Sequence, residues 1–343
     1  MAAYVLRRVL WMVPTLIGIT FLSFAMLQLV PGDPAELAFA SADQPDAVAP
    51  EALARVRRDY LLDAPLWKRY LHFLGPFDLT PGGARFAGGT GEHTFGGLLA
   101  LDLESELHRP HVRVADELGR RLAVTVPLAL AALAVAYAVA LPLGILAALR
   151  RRTMLARASV LVSFLLYSVP VFWAGLLLQL AFGRGGLDWL PALGLPEPGA
   201  DSWLARLQHG VLPVLCLAYA PAAYLSRQMR AGLLEVLPAD HLRAARARGL
   251  PERTVLGKHA LRNALIPVAT LSANVLPALL AGSVVVETIF DLPGVGRYAY
   301  EGLQQRDVFV VMATTTFAAV ATCVAILLAD LLCAALDPRL RHG

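Results

Sequence analysis

The sequence predicts an all-α membrane protein with six transmembrane helices and one small extracytoplasmic segment between helices 1 and 2. Three observations predict this class. Of the 343 residues, 57% are hydrophobic and only 16% are charged, whereas soluble domains are about 45–50% apolar and about 25% charged. Six runs of 20 to 28 residues contain no charged residue, and roughly 20 apolar residues suffice for a helix to cross the hydrocarbon core. Basic residues are also concentrated in alternate loops, as the positive-inside rule predicts.

The charge-free runs define the predicted spans. In chain order they are Val9–Gly32, Leu122–Leu149, Ala158–Gly183, Leu207–Ser226, Asn263–Val286 and Val308–Ala329. The first run is longer than the apolar part of a signal peptide, which is about 7–15 residues, so we expect a retained helix. Residues 1–32 are thus predicted as helix 1, 33–121 as the extracytoplasmic segment, 122–336 as the helical core and 337–343 as a tail.

Charge sets the predicted orientation. With the N-terminus in the cytoplasm, the inside segments hold 16 of the 30 basic residues but only 4 of the 26 acidic ones. Six spans return the C-terminus to the cytoplasm, where Arg339 and Arg341 agree with the same rule. The sequence therefore predicts that both termini are cytoplasmic.

The longest and most basic inside loop joins the fourth and fifth spans, at residues 227–262. Asp240 suits a helix N-cap, and Gly249 suits the residue that follows a C-cap. Pro251 is typical of the first position of a new helix, whose first turn Glu252 favours. The loop is predicted to form a short helix, a break at Gly249 and a second helix that continues into the fifth span.

The first loop helix combines small and basic side chains. Small residues that would let another backbone approach closely lie among basic ones: Ala244, Ala245 and Ala247 among Arg243, Arg246 and Arg248. Attraction to anionic lipid, worth about 1 kcal/mol per basic residue near the surface, explains the charge alone. A helix that docks on a cytoplasmic partner explains the charge, the small residues and the break together.

Several stretches resemble those of ABC importer permeases of the dipeptide, oligopeptide and nickel family. Arg243-Ala-Ala-x-x-x-Gly249 resembles the general Glu-Ala-Ala loop motif, although Arg243 replaces the Glu and His259-Ala-Leu-Arg262 replaces Ile-x-Leu-Pro. Both departures are similar to the variant in this family. Further similar stretches run along the chain: Ala245-Arg-Ala-Arg-Gly-Leu250, His259-Ala-Leu-Arg-Asn-Ala-Leu-Ile-Pro267, Tyr4–Pro14 with Pro31-Gly-Asp-Pro34, Glu287–Gly296, and Asp337-Pro-Arg339. The resemblance extends from end to end, and it is to the first of the two permease subunits.

The resemblance implies a type I ABC importer permease fold in the bacterial inner membrane, with di- or oligopeptides as substrate. It implies four partners that complete the transporter: a second permease, two cytoplasmic ATPases that bind ATP and magnesium, and an extracytoplasmic solute-binding protein. It also implies a set of residues that couple the permease to an ATPase: Asp240, Arg243, Ala244, Ala245, Arg246 and Gly249. No cofactor is expected on this chain, since its Gly257-Lys258 pair lacks the rest of a phosphate-binding loop. Membrane lipid is an expected contact, and nucleic acid is not.

Polar residues within spans are candidates to line the pathway, because such groups usually face protein or water rather than lipid. The candidates are Ser163, Ser168 and Gln179 in the third span, and Ser272, Asn274 and Ser283 in the fifth. A stripe of small residues at every fourth position of the second span, Ala132, Ala136, Ala140 and Gly144, instead predicts helix packing. Pro267 and Pro277 predict bends in the fifth span.

Other functions explain less of the sequence. A secondary carrier or channel would work without ATPases, but ion-coupled carriers often keep charges inside the membrane, and all six spans can be drawn without any. An intramembrane enzyme is disfavoured because the chain has neither His-Glu-x-x-His nor Gly-x-Ser-x-Gly. The three cysteines lie in apolar runs without zinc-type spacing, so no catalytic or metal residue is predicted. A membrane scaffold without a transport role stays open.

Overall fold

A computed structural model describes residues 2–29, 62–75, 111–183, 186–196 and 202–336, and a few positions between residues 51 and 109. Eleven α-helices and one π-helix make up nearly all of the described chain. They are α1 (Ala2–Gln28), α2 (Leu66–Leu74), α3 (Val114–Leu149), α4 (Met154–Ser168), α5 (Val171–Phe182), α6 (Trp203–Val236), α7 (Asp240–Ala247), α8 (Glu252–Thr254), the π-helix (Val255–Ala260), α9 (Leu261–Ile289), α10 (Val295–Gln304) and α11 (Val308–Leu336). Among these residues the β-structure is one isolated bridge, so the all-α prediction is confirmed.

Unbroken helices account for four of the predicted spans. The helices α1, α3, α6 and α11 are each long and apolar enough to cross a membrane. Two bent pairs meet the same criterion when each pair is taken as one span: α4 with α5, and Glu252–Leu279 with Ser283–Ile289. The six predicted spans therefore correspond to four unbroken helices and two bent ones.

The third span is not the single helix that the charge-free run Ala158–Gly183 predicts. It divides into α4 and α5, which meet at an angle of 104°. Val169 and Pro170 separate them with extended backbone, at ψ angles of 124° and 141°. Proline lacks an amide N–H and disfavours helical backbone in the residue before it, so Pro170 ends α4 and begins α5.

The fifth span bends more gently. Its helix turns by 41° between Leu279 and Ser283, shortly after Pro277. This confirms the predicted bend near Pro277, whereas Pro267 lies inside the unbroken stretch Glu252–Leu279. A proline removes one backbone hydrogen bond but does not always produce a sharp kink, because neighbouring helices can hold the axis straight.

Contacts divide the chain into two compact units. The first contains the described residues within 1–10, 125–293 and 321–343, and the second those within 11–124 and 294–320. In the first unit, the small-residue stripe of α3 is buried, which confirms its predicted packing role. A methyl group on Gly144 would lie 2.6 Å from the Ser226 carbonyl oxygen and 2.7 Å from the Met229 Cβ, so α3 and α6 are in close backbone contact.

The second unit has two small apolar clusters. One contains Phe24, Tyr70, Phe73 and Met312, and the Tyr70 hydroxyl lies 2.9 Å from the Thr20 hydroxyl. The other contains Val114, Tyr298, Val310 and Ala313. Beside it the buried Glu106 carboxylate accepts a hydrogen bond of 2.8 Å from the Tyr298 hydroxyl and two from the Arg109 guanidinium. These contacts anchor the described parts of the predicted 33–121 segment, much of which lies outside the described residues, as does the predicted tail 337–343.

Candidate coupling loop and pathway cavity

The loop helix α7 begins at Asp240, one residue earlier than predicted. Its N-cap is Ala239, whose backbone is extended and whose side chain makes no cap. The Asp240 carboxylate accepts a hydrogen bond from the Arg243 guanidinium instead of a backbone amide, so the predicted N-cap role is wrong by one position. The acid still lies in the first turn, where the helix dipole stabilises negative charge.

The helix ends as predicted just before Gly249, which follows the C-cap residue Arg248. This glycine has a φ of +77°. Its amide donates to the Arg246 carbonyl at 2.9 Å, and the Leu250 amide donates to the Ala245 carbonyl at 3.4 Å. These two bonds form a Schellman motif, which needs left-handed backbone at the residue after the C-cap. The next turn begins with Pro251 as the N-cap of α8 rather than as its first residue.

Exposure separates the predicted coupling residues into two groups. Five of the six are exposed: Asp240, Arg243, Ala244, Arg246 and Gly249. Ala245 is only 8% exposed, and Leu242 beside it is fully buried. The surface available to a partner therefore contains Ala244 and the charged side chains, whereas Ala245 and Leu242 pack the helix onto the rest of its own chain.

Two side-chain contacts attach α7 to the base of the fifth span. The Arg246 guanidinium forms two hydrogen bonds with the Glu252 carboxylate, at 3.2 and 3.0 Å, and this pairing lowers the pKa of the Glu252 carboxyl. The Asn263 side-chain nitrogen lies 3.2 Å from the Nε2 of His241. The π-helix lies between these two contacts along the chain and leads directly into α9. A displacement of α7 would thus be transmitted to α9 through side chains as well as backbone.

The third-span candidates have separate environments. Ser163 is buried and donates to the Ser159 carbonyl at 2.8 Å, and Ser168 is exposed and donates to the Phe164 carbonyl at 3.0 Å. The Gln179 amide donates to the Ile289 carbonyl at 2.7 Å and more weakly to the Ala192 carbonyl at 3.3 Å. In this conformation Gln179 therefore holds α5 against the end of α9 and against the loop that follows α5, which is a structural contact.

The fifth-span candidates also differ from one another. Ser283 is buried, and the side chain of Ser272 lies outside the described residues. Asn274 is exposed and lines a cavity of about 400 Å³. The cavity lies among α4, α5, α6 and α9, beside the break in the third span. Of the five candidates whose side chains the structure describes, only Asn274 lines this cavity, while Ser163 lines a different, largely apolar cavity of about 490 Å³ among α3, α4 and α6.

Comparison with known proteins assigns the chain to a family. Residues 140–342 match the inner membrane component of binding-protein-dependent transport systems, and residues 1–81 match the N-terminal domain of such membrane components. The first match alone covers more than half of the chain. The chain belongs to this permease family.

Individual relatives are similar over their whole length. The chain is 34% identical to the oligopeptide transport system permease protein AppB of Bacillus subtilis, with 100% of both chains covered. It is 32% identical to the dipeptide transport system permease protein DppB of Escherichia coli and 33% identical to the di/tripeptide transport system permease protein DppB of Pseudomonas aeruginosa, with 100% of this chain and 99% of each relative covered. These relatives are transport subunits rather than enzymes, and they do not favour the secondary-carrier alternative.

Two acidic residues lie in the long helices immediately after the charge-free runs of the fifth and sixth spans. Glu287 lies in α9 and is 1% exposed, where its carboxylate accepts a 2.7 Å hydrogen bond from the Thr125 hydroxyl. Asp330 lies in α11 and pairs with Arg8 at 2.9 Å. The runs themselves contain no charge, and the helices extend beyond them to these two acids, which have a polar and a charged partner.

Sequence reasoning missed three features of the permease site. The contact between His241 and Asn263 joins residues 22 positions apart, and no periodic pattern indicates it. The π-helix has no distinctive composition. The Arg227 guanidinium lies 4.5 Å from the centre of the Tyr167 ring, a contact that the basic composition of the loop does not indicate. The break between α4 and α5 was also missed, although Pro170 signals it, since a proline in a predicted span often marks a break.

Proposed function

We propose that this chain is one of two permease subunits of an ATP-driven importer of di- and oligopeptides. The observation that carries the proposal is the full-length similarity to permeases named for oligopeptide, dipeptide and di/tripeptide transport. Half of the translocation pathway would come from this chain and half from a second permease. A solute-binding protein would deliver the peptide at the extracytoplasmic face.

The coupling role is assigned to the helix Asp240–Ala247 and Gly249. Its exposed side presents Arg243 and Ala244 to a partner, Arg246 pairs with Glu252 at the base of the fifth span, and its buried side is held by Leu242 and Ala245. Two ATPase subunits would bind ATP and magnesium, and their closure would displace this helix together with the base of α9. ATP would then shift the balance between two states of the permease, each open to one side of the membrane.

Orientation is proposed from charge. The basic loop 227–262 would lie in the cytoplasm together with both termini, as the positive-inside rule requires. A reporter fused after Gly343 would then read as cytoplasmic. An extracytoplasmic signal would contradict both the orientation and the assignment of α7 to ATPase coupling.

A two-step experiment tests the function. The tagged chain is purified from its native membrane in mild detergent, and the proteins bound to it are identified. The recovered complex is then placed in lipid vesicles with its binding protein, and uptake of a radiolabelled dipeptide is measured with and without ATP. Recovery of ATPases and a second permease, with ATP-dependent uptake, is the expected result. Uptake by the chain alone without ATP would instead establish a secondary carrier.

A further inference from the structure

The cavity beside the break in the third span has an unusual lining. Its walls are mainly apolar, from residues such as Leu217, Val275 and Leu279. Three polar side chains also line it: Tyr167 from α4, Tyr224 from α6 and Asn274 from α9. The cavity volume of about 400 Å³ lies within the range of about 300–1,000 Å³ that is typical of sites for small molecules.

The polar groups of the lining have no protein partner. Among the residues that the structure describes, no hydrogen bond is made by the Tyr167 hydroxyl, the Tyr224 hydroxyl or the Asn274 amide. The two tyrosine rings stack at 6.1 Å with an interplanar angle of 25°. Tyr167 is half exposed and Asn274 is exposed, so these groups are accessible to a polar molecule that enters the cavity.

A positive charge adjoins the same cavity. The Arg227 guanidinium lies over the Tyr167 ring at 4.5 Å, and Arg227 follows Tyr224 by one helical turn. Across the described part of the chain, Arg227 forms no ion pair with an acidic side chain. A site with apolar walls, three hydrogen-bonding groups and one adjoining cation is complementary to a small polar molecule that bears one carboxylate.

We propose that this cavity binds the peptide during its passage through the permease. The Asn274 amide and the two tyrosine hydroxyls bind the peptide backbone, and the apolar wall accommodates side chains of differing shape. Arg227 pairs with the terminal carboxylate, since a guanidinium matches a carboxylate in charge and geometry. Backbone and terminus are common to all peptides, so such a site tolerates many sequences. This inference rests on the proposed function, because it assumes a peptide substrate.

Paired variants of the complete transporter test the site, with uptake measured at saturating binding protein. Asn274→Ala is expected to reduce the uptake rate about two- to tenfold, the factor that corresponds to the loss of one hydrogen bond, and Asn274→Gln is expected to recover part of it. Arg227→Gln is expected to reduce uptake roughly tenfold, because hydrogen bonds to charged groups are stronger, and Arg227→Lys less. The controls are Thr270→Val, which removes a hydroxyl elsewhere on α9, and Arg151→Gln, which removes one exposed positive charge. Both controls are expected to retain wild-type uptake.

A photoreactive dipeptide locates the bound substrate directly. A dipeptide that contains a diazirine analogue of leucine is irradiated with the wild-type transporter during ATP turnover, and the cross-linked fragments are identified by mass spectrometry. Labelling is expected within residues 167–171, 216–224 or 274–279, and excess unlabelled dipeptide should suppress it. Labelling elsewhere, together with unchanged uptake by Asn274→Ala and Arg227→Gln, would overturn the proposed site.

The two proposals fail in distinguishable ways. If the wild-type transporter takes up peptide while the cavity variants behave as the controls do, the binding site is wrong and the peptide function stands. If the wild-type transporter takes up no peptide under any condition, the proposed function fails first. Variants that fail to assemble are recognised by the amount of chain in the membrane and by recovery of its partners, and the Gln and Lys replacements then provide the comparison.

Discussion

Two candidate regions, the loop of residues 227–262 and the cavity lined by Tyr167, Tyr224 and Asn274, are built in different ways. In the loop, neighbouring residues specify the structure: Gly249 closes α7 and Pro251 begins the next turn. The cavity requires Tyr167, Tyr224 and Asn274, which are separated by 57 and 50 positions along the chain and come together only when three spans pack. The loop is thus a local device on the surface, and the cavity is a product of helix packing. Variants of the two regions should therefore fail in different ways.

Gly144→Leu should have the largest effect, because it disrupts the close backbone contact between α3 and α6. A side chain at this position would meet the Ser226 carbonyl and Met229 at less than 3 Å. Overpacking of this kind typically costs about 1–3 kcal/mol and is greater where backbone must move. We expect much less folded chain in the membrane, measured by detergent extraction and size-exclusion chromatography.

Gly18→Leu is the control for Gly144→Leu, because a side chain at Gly18 would meet nothing within 4 Å. It should extract normally. Equal amounts of the two variants would show that the contact between α3 and α6 tolerates a bulky residue, and the packing argument would then fail.

Gly249→Val should uncouple the permease without unfolding it. A side chain at Gly249 would meet nothing within 4 Å, but the φ of +77° disfavours an L-residue by about 1–2 kcal/mol, and by more when it is β-branched. We expect normal membrane insertion, loss of ATP-driven uptake and continued ATP hydrolysis by the complex. Gly249→Asn should retain most of the uptake, because Asn tolerates left-handed backbone. Uptake by the Val variant at the wild-type rate would remove the coupling role of the break.

Tyr219→Phe tests the support of the break in the third span. The Tyr219 hydroxyl donates a 2.6 Å hydrogen bond to the Val169 carbonyl, at a position where the helical ladder is interrupted. Loss of this half-buried hydrogen bond should cost about 0.5–1.5 kcal/mol, the usual net contribution of one hydrogen bond, and should lower the thermal stability of the purified complex.

Thr270→Val provides the matched comparison for Tyr219→Phe. The Thr270 hydroxyl donates to the Ile266 carbonyl within a continuous helix, where the backbone already supplies a partner. A smaller loss of stability is therefore expected. If both variants melt at the same temperature, the Tyr219 contact does not stabilise the break.

Arg246→Gln should have the smallest effect. The Arg246–Glu252 pair is exposed, and such pairs contribute little to stability. We expect a small reduction of uptake that disappears at high salt, where exposed charges are screened. The pH dependence of the ion pair follows from the lowered pKa of the Glu252 carboxyl. The pair is fully formed above the ordinary pKa of Glu and is lost as the pH falls through the lowered pKa. A large effect that persists at high salt would mean that Arg246 contacts the ATPase directly.

Much of the loop and of the membrane topology could be predicted from local signals. Gly249 predicted the end of α7 because few residues other than glycine adopt its backbone angles. Charge-free runs located all six spans because burial of charge in lipid is costly. The errors were also local: the N-cap of α7 is Ala239 rather than Asp240, whose carboxylate pairs with Arg243, and Pro170 divided a span that hydropathy alone made continuous.

Sequence was sufficient for the class of the molecule, the order of its spans, the small-residue stripe of α3 and the capped helix of the coupling loop. Each of these depends on composition or on interactions between residues within one or two helical turns of each other in the sequence. Tertiary structure decided that Ala245 faces inward, that Gln179 holds the end of α9 and that Asn274 faces a cavity with Tyr167 and Tyr224. Those outcomes depend on which faces of separate helices meet, and distant side chains determine that choice through packing.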